Sequence, residues 1–327
     1  MKKLRNLGKD GPMVSAIGYG AMGLEGYYGG TDEQSAIAVI RHALDVGCSF
    51  IDSADAYGNG HNEQLVGRAV AGRRDEAFVA TKFGIVFEPD QTGSELPMSW
   101  GFSLTINGRP DYTRRAIEQS LKRLDMPYID LLYLHFPDPA VPIDETVGAM
   151  AEAVGRGEVR HLGLSNVTVH QVQQAHQVHP ISAVQYEYSL WRREIETELL
   201  PTLRKLGIAL VPWSPLGSGF LTGTVDGLAD NDFRNTNPRF QGENLTTNRE
   251  RFAPLMGLAE DIGVTPAQLS LAWLLHQGDD IIPIPGTRKS ERVTENAKAA
   301  DIELAPEVVE KISALAAVGL AQGKTLL

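Results

Sequence analysis

Short apolar runs alternate with longer amphipathic segments along almost the whole chain. The runs have the length of buried strands, and the segments between them place apolar residues at the spacing of one helix face. The predicted strands begin at Ile17 and at residues 50, 77, 128, 159, 181, 208 and 281. Strands that alternate with helices in this way predict a single (β/α)8 TIM barrel over residues 1–327, with its chemistry at the carboxyl ends of the strands.

The segments outside the repeating units carry expectations of their own. Residues 4–17 predict a β-hairpin that acts as a lid and contributes no catalytic group. Long glycine-containing stretches follow the third strand, at 83–110, and the seventh strand, at 214–248. Loops of this length in compact domains are often functional lids. The predicted helices lie at 32–44, 62–71, 113–124, 144–156, 168–178, 197–206, 249–262 and 266–277.

A G-x-G-x-x-G pattern at 18–23 directly follows the first predicted strand. In a dinucleotide-binding βαβ unit, the third glycine lies in a helix whose N-terminus receives the pyrophosphate. Here further glycines follow at once, and a helix can begin only near Thr31. The pattern therefore favours a barrel strand that leads into a flexible loop with Tyr27 and Tyr28.

The composition limits the classes of function. A formal net charge of -11 argues against a chain that wraps nucleic acid or binds an anionic membrane, and 43% hydrophobic residues are ample for a core. The single cysteine, Cys48, excludes an internal disulfide framework and an all-cysteine metal site. No apolar run approaches the ~20 residues of a membrane span, and Met1–Leu4 leads into polar sequence. We therefore expect a cytoplasmic protein that uses no metal.

Titratable residues end three successive predicted strands. Asp52 ends one strand and Tyr57 follows on its loop, Lys82 ends the next strand, and His135 ends the third. An unperturbed tyrosine has a pKa of about 10 and is a poor acid at neutral pH, so proton chemistry at Tyr57 requires a neighbouring cation. An isolated Asp–Lys pair is most often a structural salt bridge, but the recurrence at His135 favours a catalytic group of four.

The later strand ends carry neutral polar and aromatic groups. Ser165, Asn166 and Gln185 are suited to hydrogen bonding a carboxamide, although loop caps use the same residue types. Trp213 offers a flat face for an aromatic ring, with core packing as the alternative. The small residues at 214–219 resemble a loop that exposes backbone N–H groups to a phosphate.

A basic cluster lies just beyond the last predicted strand, at the start of a helix. It consists of Arg288, Lys289 and Arg292. On so acidic a protein, this placement predicts recognition of an extra phosphate monoester. A solvated helix face is the alternative interpretation.

On these residues the chain resembles an aldo-keto reductase over almost its whole length. The matching motifs are F-I-D-S-A-D-A-Y-G at 50–58, T-K-F-G at 81–84, L-H-F-P-D at 134–138, G-L-S-N at 163–166, V-Q-Y at 184–186, W-S-P-L-G-S-G at 213–219 and I-P-G-T-R at 284–288. E-Y-S-L-W at 187–191 and N-P-R-F-Q-G-E-N-L at 237–245 make it most similar to the bacterial and yeast-type branch related to pyridoxal reductase. Trp213 departs from that branch, which often has tyrosine there.

The resemblance implies an enzyme that transfers a hydride from nicotinamide C4 of NADPH to the carbonyl carbon of a small aldehyde or ketone. It implies that Tyr57 donates the proton and that Lys82 lowers the pKa of its phenol. Asp52 would hold Lys82 in place. His135 would orient the carbonyl and assist the proton transfer.

The resemblance also implies the cofactor contacts. Ser165, Asn166 and Gln185 would bind the carboxamide, and Trp213 would stack on the nicotinamide. The basic cluster would bind the 2'-phosphate. The full implied set is Ala21, Met22, Asp52, Ser165, Asn166, Gln185, Trp213, Ser214, Leu216, Ser218, Gly286, Thr287, Arg288, Lys289 and Arg292, with Glu295 and Asn296 near the adenine.

Three other classes of function stay open at the level of sequence. A nucleotide-sensing regulatory subunit would keep the cofactor groups and show negligible turnover. A Schiff-base lyase would use Lys82 at its strand end as a nucleophile. A barrel hydrolase would use Asp52 and Asp138 and would leave the basic cluster without a role.

Overall fold

The computed structural model of the protein describes residues 3–88, 91–225, 227–230 and 232–326. The strands are β1 Leu4–Asn6, β2 Met13–Ser15, β3 Tyr19–Gly20, β4 Phe50–Asp52, β5 Phe78–Phe83, β6 Ser94–Pro97, β7 Ser103–Ile106, β8 Ile129–Leu134, β9 Val159–Ser165, β10 Ile181–Glu187 and β11 Ala209–Trp213. The α-helices are α1 Glu33–Asp45, α2 His61–Val70, α3 Pro110–Leu124, α4 Ile143–Gly155, α5 Val169–Val178, α6 Leu199–Leu206, α7 Gly242–Ile262, α8 Pro266–His276, α9 Ser290–Lys298 and α10 Pro306–Leu315. Within these described ranges, no helix has the length and apolar character needed to cross a membrane.

Parallel strands form the wall of a barrel, in the order β3, β4, β5, β8, β9, β10 and β11. The segment 281–285 completes the wall, because Ile282 N donates to Leu210 O (2.9 Å) on one side and Gly18 N donates to Pro283 O (2.9 Å) on the other. Pro283 has no N–H to donate, so this last segment pairs irregularly. The closed wall with helices outside it confirms the predicted (β/α)8 barrel.

The G-x-G-x-x-G pattern serves the closure of the barrel. A Cβ atom on Gly18 would lie 2.8 Å from Phe50 O, and one on Gly20 would lie 2.8 Å from Ile284 O. A carbon atom does not fit at these distances, so the two glycines allow the first wall strand to approach its neighbours. A 3-10 turn at Ala21–Glu25 follows, in place of the α-helix that a dinucleotide-binding unit requires.

The predicted N-terminal hairpin, β1 with β2, covers the amino-terminal end of the barrel. Leu7 and Val14 are fully buried and belong to the apolar cluster inside the wall. Arg5 fixes the hairpin to the adjoining elements. Its guanidinium donates to the carbonyl oxygens of Leu275 (2.6 Å), Gly278 (2.5 Å) and Ile281 (2.7 Å). The hairpin therefore lies opposite the end at which the catalytic residues were predicted.

Some boundaries differ from the sequence-based expectation. Helix α7 begins at Gly242 rather than at 249, although its first turns have weak helix propensity. Asn248 exchanges two hydrogen bonds with the backbone of Gln322 (2.9 and 2.7 Å), so a tertiary contact holds this part of the helix. The stretch after the third wall strand contains the antiparallel hairpin β6–β7. Helix α10 was not predicted.

Candidate active site

The carboxyl ends of β4, β5 and β8 bring the four predicted catalytic residues together. Lys82 lies at their centre, where its Nζ donates to Asp52 Oδ1 (2.5 Å), Ser53 O (2.8 Å) and Tyr57 OH (3.2 Å). The His135 ring meets the Tyr57 ring edge to face, with 5.9 Å between centroids. The register explains this meeting, because β4 pairs with β5 and β5 pairs with β8.

Lys82 carries its ammonium group in a buried position, with 1% of the residue exposed. Burial of a charge is unfavourable unless it is paired, and here three acceptors satisfy all three N–H groups. Gln185 Nε2 donates to Asp52 Oδ2 (2.8 Å) and supports the carboxylate from β10. Burial lowers the pKa of Lys82 and raises the pKa of Asp52, while the attraction between the two charges opposes both shifts.

Tyr57 is a protonated acid at neutral pH. Burial, followed by the charge of Asp52, raises the pKa of its phenol well above the usual value of 10. The ammonium of Lys82, 3.2 Å away, favours the phenolate and so acts against this rise, and its effect on the phenol stays a prediction. The side chain is half-buried and reaches the mouth of the barrel.

His135 is a neutral imidazole. Burial and the nearby charge of Lys82 lower its pKa well below 6.5. Its Nδ1 is buried without a hydrogen-bond partner among the described residues. The backbone carbonyl of His135 accepts from Asn166 Nδ2 (3.1 Å), which ties this residue to the next strand end. A neutral ring beside Tyr57 can hydrogen-bond an uncharged oxygen.

Polar residues from β9 and β11 form a second connected set at the mouth. Asn166 donates to Ser165 Oγ (3.0 Å) and accepts at Oδ1 from Trp213 Nε1 (3.2 Å). Trp213 is half-buried, and Asn166 has a left-handed backbone with φ 57°. Gln185, predicted with this set, instead contacts the carboxylate of Asp52.

The loop after β11 presents a run of left-handed residues. Ser214, Gly217, Ser218 and Gly219 have φ values of 51°, 56°, 53° and 92°. Ser214 Oγ accepts from Ser218 N (2.9 Å), which closes the loop on itself. Backbone N–H groups in such turns form anion-binding concavities. The side chain of Leu216 packs against the core.

The basic cluster lies at the mouth, and both of its arginines already have protein partners. Arg292 Nη1 donates to Glu295 Oε2 (2.6 Å) within α9. Arg288 donates to two backbone carbonyls of the loop after β3. Lys289 is exposed at the N-terminal end of α9.

The remaining predicted contact residues lie around the junction of β3 and the last wall segment. A Cβ atom on Gly286 would lie 2.7 Å from a backbone oxygen of β3, so this position requires glycine. Thr287 O accepts from a buried tyrosine hydroxyl (2.7 Å), and Ala21 O accepts from an asparagine amide (3.0 Å). Met22 is half-buried on the 3-10 turn, and Asn296 is buried on α9.

Sequence reasoning missed an aromatic lining that reaches Tyr57 through Tyr27. The Tyr27 ring lies 6.3 Å from the Tyr57 ring and 5.7 Å from Phe233, measured between centroids. Phe233 in turn lies 5.9 Å from Trp100 and 6.1 Å from Phe102. These residues come from three separate loops and have no common spacing. The available signal was the presence of aromatic residues within three glycine-containing loops.

The geometry disfavours two of the alternative functions. Because all three N–H groups of Lys82 donate hydrogen bonds, the amine has no free lone pair for a Schiff base. Asp138, the second carboxylate of the hydrolase hypothesis, accepts from Gly108 N and Ala140 N (both 2.9 Å). It therefore acts as an anchor between two loops.

Comparison with known proteins gives a consistent result. The model of the Aldo/keto reductase family matches residues 16–317. The chain is similar to a probable aldo-keto reductase 1 of Glycine max, with 43% identity over 318 residues, 96% of this chain and 88% of that protein. It resembles a glycerol dehydrogenase from Gluconobacter oxydans, with 30% identity and a TM-score of 0.81 over 95% of this chain and 94% of the other. An aldo-keto reductase from Klebsiella pneumoniae, solved with NADPH, shows 27% identity and a TM-score of 0.74 over 100% of this chain and 99% of the other.

Proposed function

The chain belongs to the aldo/keto reductase family, and on that premise we propose that it reduces an aldehyde or ketone to an alcohol, with NADPH as hydride donor and Tyr57 as proton donor. The observation that carries the proposal is the buried contact of Lys82 with both Asp52 and Tyr57. When a protonated phenol beside a buried ammonium gives up its proton, the ammonium stabilises the phenolate that remains. Such a phenol can therefore act as a general acid.

Each of the four residues has a distinct part in the reaction. Tyr57 gives its proton to the carbonyl oxygen as the alcohol forms. Lys82, 3.2 Å from the phenol oxygen, stabilises the negative charge that develops there, and Asp52 keeps Lys82 charged and fixed. His135 hydrogen-bonds the carbonyl oxygen as a neutral imidazole. NADPH, when bound, supplies the hydride from its nicotinamide ring.

Features of the mouth fit a nicotinamide dinucleotide. Trp213 offers a flat surface beside the amide of Asn166 and the hydroxyl of Ser165. The left-handed loop at 214–219 offers backbone N–H groups to a pyrophosphate. Glu295 Oε1 is buried with no partner in the described part of the chain, and it suits an adenine amino group.

The basic cluster suits the 2'-phosphate that distinguishes NADPH from NADH. Lys289 is exposed, and Arg292 is held by a single carboxylate on its own helix. We expect Arg292→Ala to weaken NADPH binding much more than NADH binding, because only NADPH carries the extra phosphate. An unchanged ratio of the two dissociation constants would place the phosphate elsewhere.

Within the family we place the chain near the pyridoxal reductase-like branch, on the motifs at 187–191 and 237–245. Arg239, from the second motif, donates to Trp191 O (2.5 Å) in the first, so the two motifs form one structural unit. The aromatic lining formed by Tyr27, Trp100 and Phe233 suits flat aromatic aldehydes. Pyridoxal therefore belongs in the first substrate panel.

The test compares Tyr57→Phe with the wild type in an assay of NADPH absorbance with pyridoxal and simple aromatic aldehydes. Loss of a general acid lowers turnover by about 100-fold to 10,000-fold, whereas tryptophan fluorescence should report unchanged NADPH affinity. Tyr112→Phe is the matched control, since its hydroxyl makes a long contact with Ile85 O (3.4 Å) outside the catalytic group. Equal turnover in Tyr57→Phe would refute the proton-donor role. NADPH binding without turnover by the wild type would favour a regulatory sensor.

A further inference from the structure

The loop Gly26–Asp32, which we name the lid loop, lies between the catalytic tyrosine and the basic cluster. Its residue Tyr27 packs edge to face on Tyr57, at 6.3 Å between centroids and 74° between planes. Tyr27 O accepts from Phe233 N (3.1 Å). The Tyr57 ring thus makes edge-to-face contacts with both Tyr27 and His135. The orientation of the phenol therefore depends on where the lid loop holds Tyr27.

Both ends of the lid loop are fixed by one side chain. His61 Nδ1 lies 3.0 Å from Glu25 Oε2, and its Nε2 lies 3.1 Å from Glu33 Oε1. Glu25 immediately precedes the lid loop, and Glu33 immediately follows it. Arg68 adds a second cation to Glu33 (2.7 Å). With its ends held, the loop can change position mainly through its middle.

Arg288 holds that middle. Its Nη1 donates to Gly30 O and its Nη2 donates to Tyr28 O, both at 2.8 Å. A Cβ atom on Gly29 would lie 3.2 Å from each of the two Nη atoms, and Gly29 has φ 106°. The terminal edge of the guanidinium therefore rests directly against the glycine, between the two carbonyls.

The same guanidinium keeps donors for a ligand. Arginine has five N–H groups, and among the described residues the two contacts with the lid loop leave the others, including Nε–H, without an acceptor. Arg288 borders an open cleft beside the start of α9. The cleft is lined by Gly30, Thr31, Asp32, Ser35, Arg288 and Lys289. An anion held by Arg288 and Lys289 in this cleft would share Arg288 with the lid loop.

We propose that Arg288 is a positioning residue that couples the phosphate-binding end of the mouth to Tyr57, because it holds the lid loop, and with it Tyr27, while it binds the 2'-phosphate. This inference rests on the proposed use of NADPH. Binding of the phosphate orders the guanidinium, and an ordered guanidinium fixes the carbonyls of Tyr28 and Gly30. The coupling is reciprocal, so a fixed lid loop also strengthens phosphate binding.

The coupling distinguishes Arg288 from a residue that only binds phosphate. A residue of the latter kind raises KM for NADPH and leaves kcat unchanged when NADPH is saturating. For Arg288→Lys, which keeps the charge but has no planar pair of donors for two carbonyls, we expect kcat at saturating NADPH to fall by at least about fivefold. An unchanged kcat at saturating NADPH would overturn the proposal.

Hydrogen exchange measured by mass spectrometry tests the coupling without turnover. The full chain is compared without ligand, with adenosine 2',5'-bisphosphate, and with 5'-AMP, which lacks the 2'-phosphate. The N–H of Gly29 donates to Gly26 O within the lid loop, and the N–H of Phe233 donates to Tyr27 O of the lid loop. In the wild type, the bisphosphate should slow hydrogen exchange in peptides that contain these two residues, and 5'-AMP should not. In Arg288→Lys, exchange there should be faster by at least about fivefold without ligand, and saturating bisphosphate should not slow it.

Two further variants keep the test decisive. Lys289→Ala removes the neighbouring positive charge. In the described structure the Lys289 side chain has no contact with the lid loop backbone, so the rate of hydrogen exchange in the ligand-free lid loop should equal that of the wild type. Gly29→Ala keeps every charge but places a carbon against the Arg288 guanidinium, so it should speed exchange as Arg288→Lys does. Slowing of exchange by bisphosphate to the same extent in Arg288→Lys and the wild type would overturn the proposal.

The outcomes also separate this inference from the proposed function. If the wild type oxidises NADPH but bound bisphosphate leaves the rate of hydrogen exchange in the lid loop unchanged, the coupling is overturned and the proposed function stands. A wild-type protein that neither binds the bisphosphate nor oxidises NADPH would overturn both.

Discussion

Removal of the buried ammonium at Lys82 should change stability and activity in different ways. In Lys82→Met, the Asp52 carboxylate keeps only the hydrogen bond from Gln185 (2.8 Å) and loses the partner at 2.5 Å. Breaking a buried ion pair by removal of one partner destabilises a protein by about 3–5 kcal/mol. Because the amide of Gln185 still donates to the carboxylate, we expect the free energy of unfolding to fall by an amount near the lower limit, about 3 kcal/mol. Turnover should be lost, because the phenol then has no adjacent cation.

The double variant Asp52→Asn/Lys82→Met isolates the electrostatic part of this loss. Replacement of both members of a buried ion pair by neutral groups of similar size is often neutral or stabilising. We therefore expect the double variant to regain at least about 2 kcal/mol relative to Lys82→Met while it remains inactive. The measurement is urea unfolding followed by circular dichroism, with Arg114→Met as control. Arg114 and Glu152 form an exposed pair (2.7 Å), and its loss should change stability by less than about 1 kcal/mol.

The pH dependence gives a second check of the same variant. Burial raises the pKa of Asp52, and Lys82→Met removes the charge that opposes the shift. A carboxyl group whose pKa is higher in the folded than in the unfolded state favours folding at low pH, and this contribution is lost as pH rises through the folded pKa. Lys82→Met should therefore approach wild-type stability in acid. A single variant as stable as the wild type at pH 7, or a double variant no more stable than the single one, would refute the reasoning.

Three other predictions concern the frame of the site. Arg5→Ala removes donors from three carbonyls at the barrel base and should lower the free energy of unfolding by about 2–3 kcal/mol, measured in urea, with unchanged kcat. Gly18→Ala places a carbon 2.8 Å from Phe50 O and should destabilise by about 1–3 kcal/mol; a neutral effect in thermal unfolding would contradict the close packing of the barrel wall. The two carboxylates at His61 raise its pKa in the folded protein above 6.5. The wild type should therefore be more stable than His61→Gln by the largest amount below pH 6.5, and the difference should shrink as pH rises through the raised pKa. An advantage that grows with pH in unfolding titrations would show that the imidazolium is not the stabilising form.

The fold and the meeting of the four candidate catalytic residues could be predicted from the sequence because one regularity governs both. Parallel strands in a barrel deliver their carboxyl ends to one rim, so the positions of Asp52, Lys82 and His135 at strand ends sufficed to bring them together. The rise in the pKa of the Tyr57 phenol could not be predicted in the same way. It depends on burial and on the distance to the charge of Asp52, and a sequence gives neither.

Contacts between loops that lie far apart in the chain also could not be predicted from the sequence. Nothing in the local pattern of Arg288 indicates that its donors face the carbonyls of Tyr28 and Gly30. The two motifs that suggested a branch of the family are structural: Arg239 joins them, and Asn248 lies just beyond the second and fastens Gln322. Such residues report a shared architecture, and they carry less information about a substrate than the aromatic rings do.

The aromatic lining comes from loops, whereas the buried charges of the site come from strands. Trp100 and Phe233 can be exchanged, or their loops lengthened, with no change in the bonds among Asp52, Lys82 and Gln185. On the proposed function, selectivity and reactivity are thus encoded in separate parts of the chain. During divergence, a descendant can acquire a new substrate by altering its loops and inherit the reaction intact, and a laboratory library aimed at new aldehydes should be confined to the same loops.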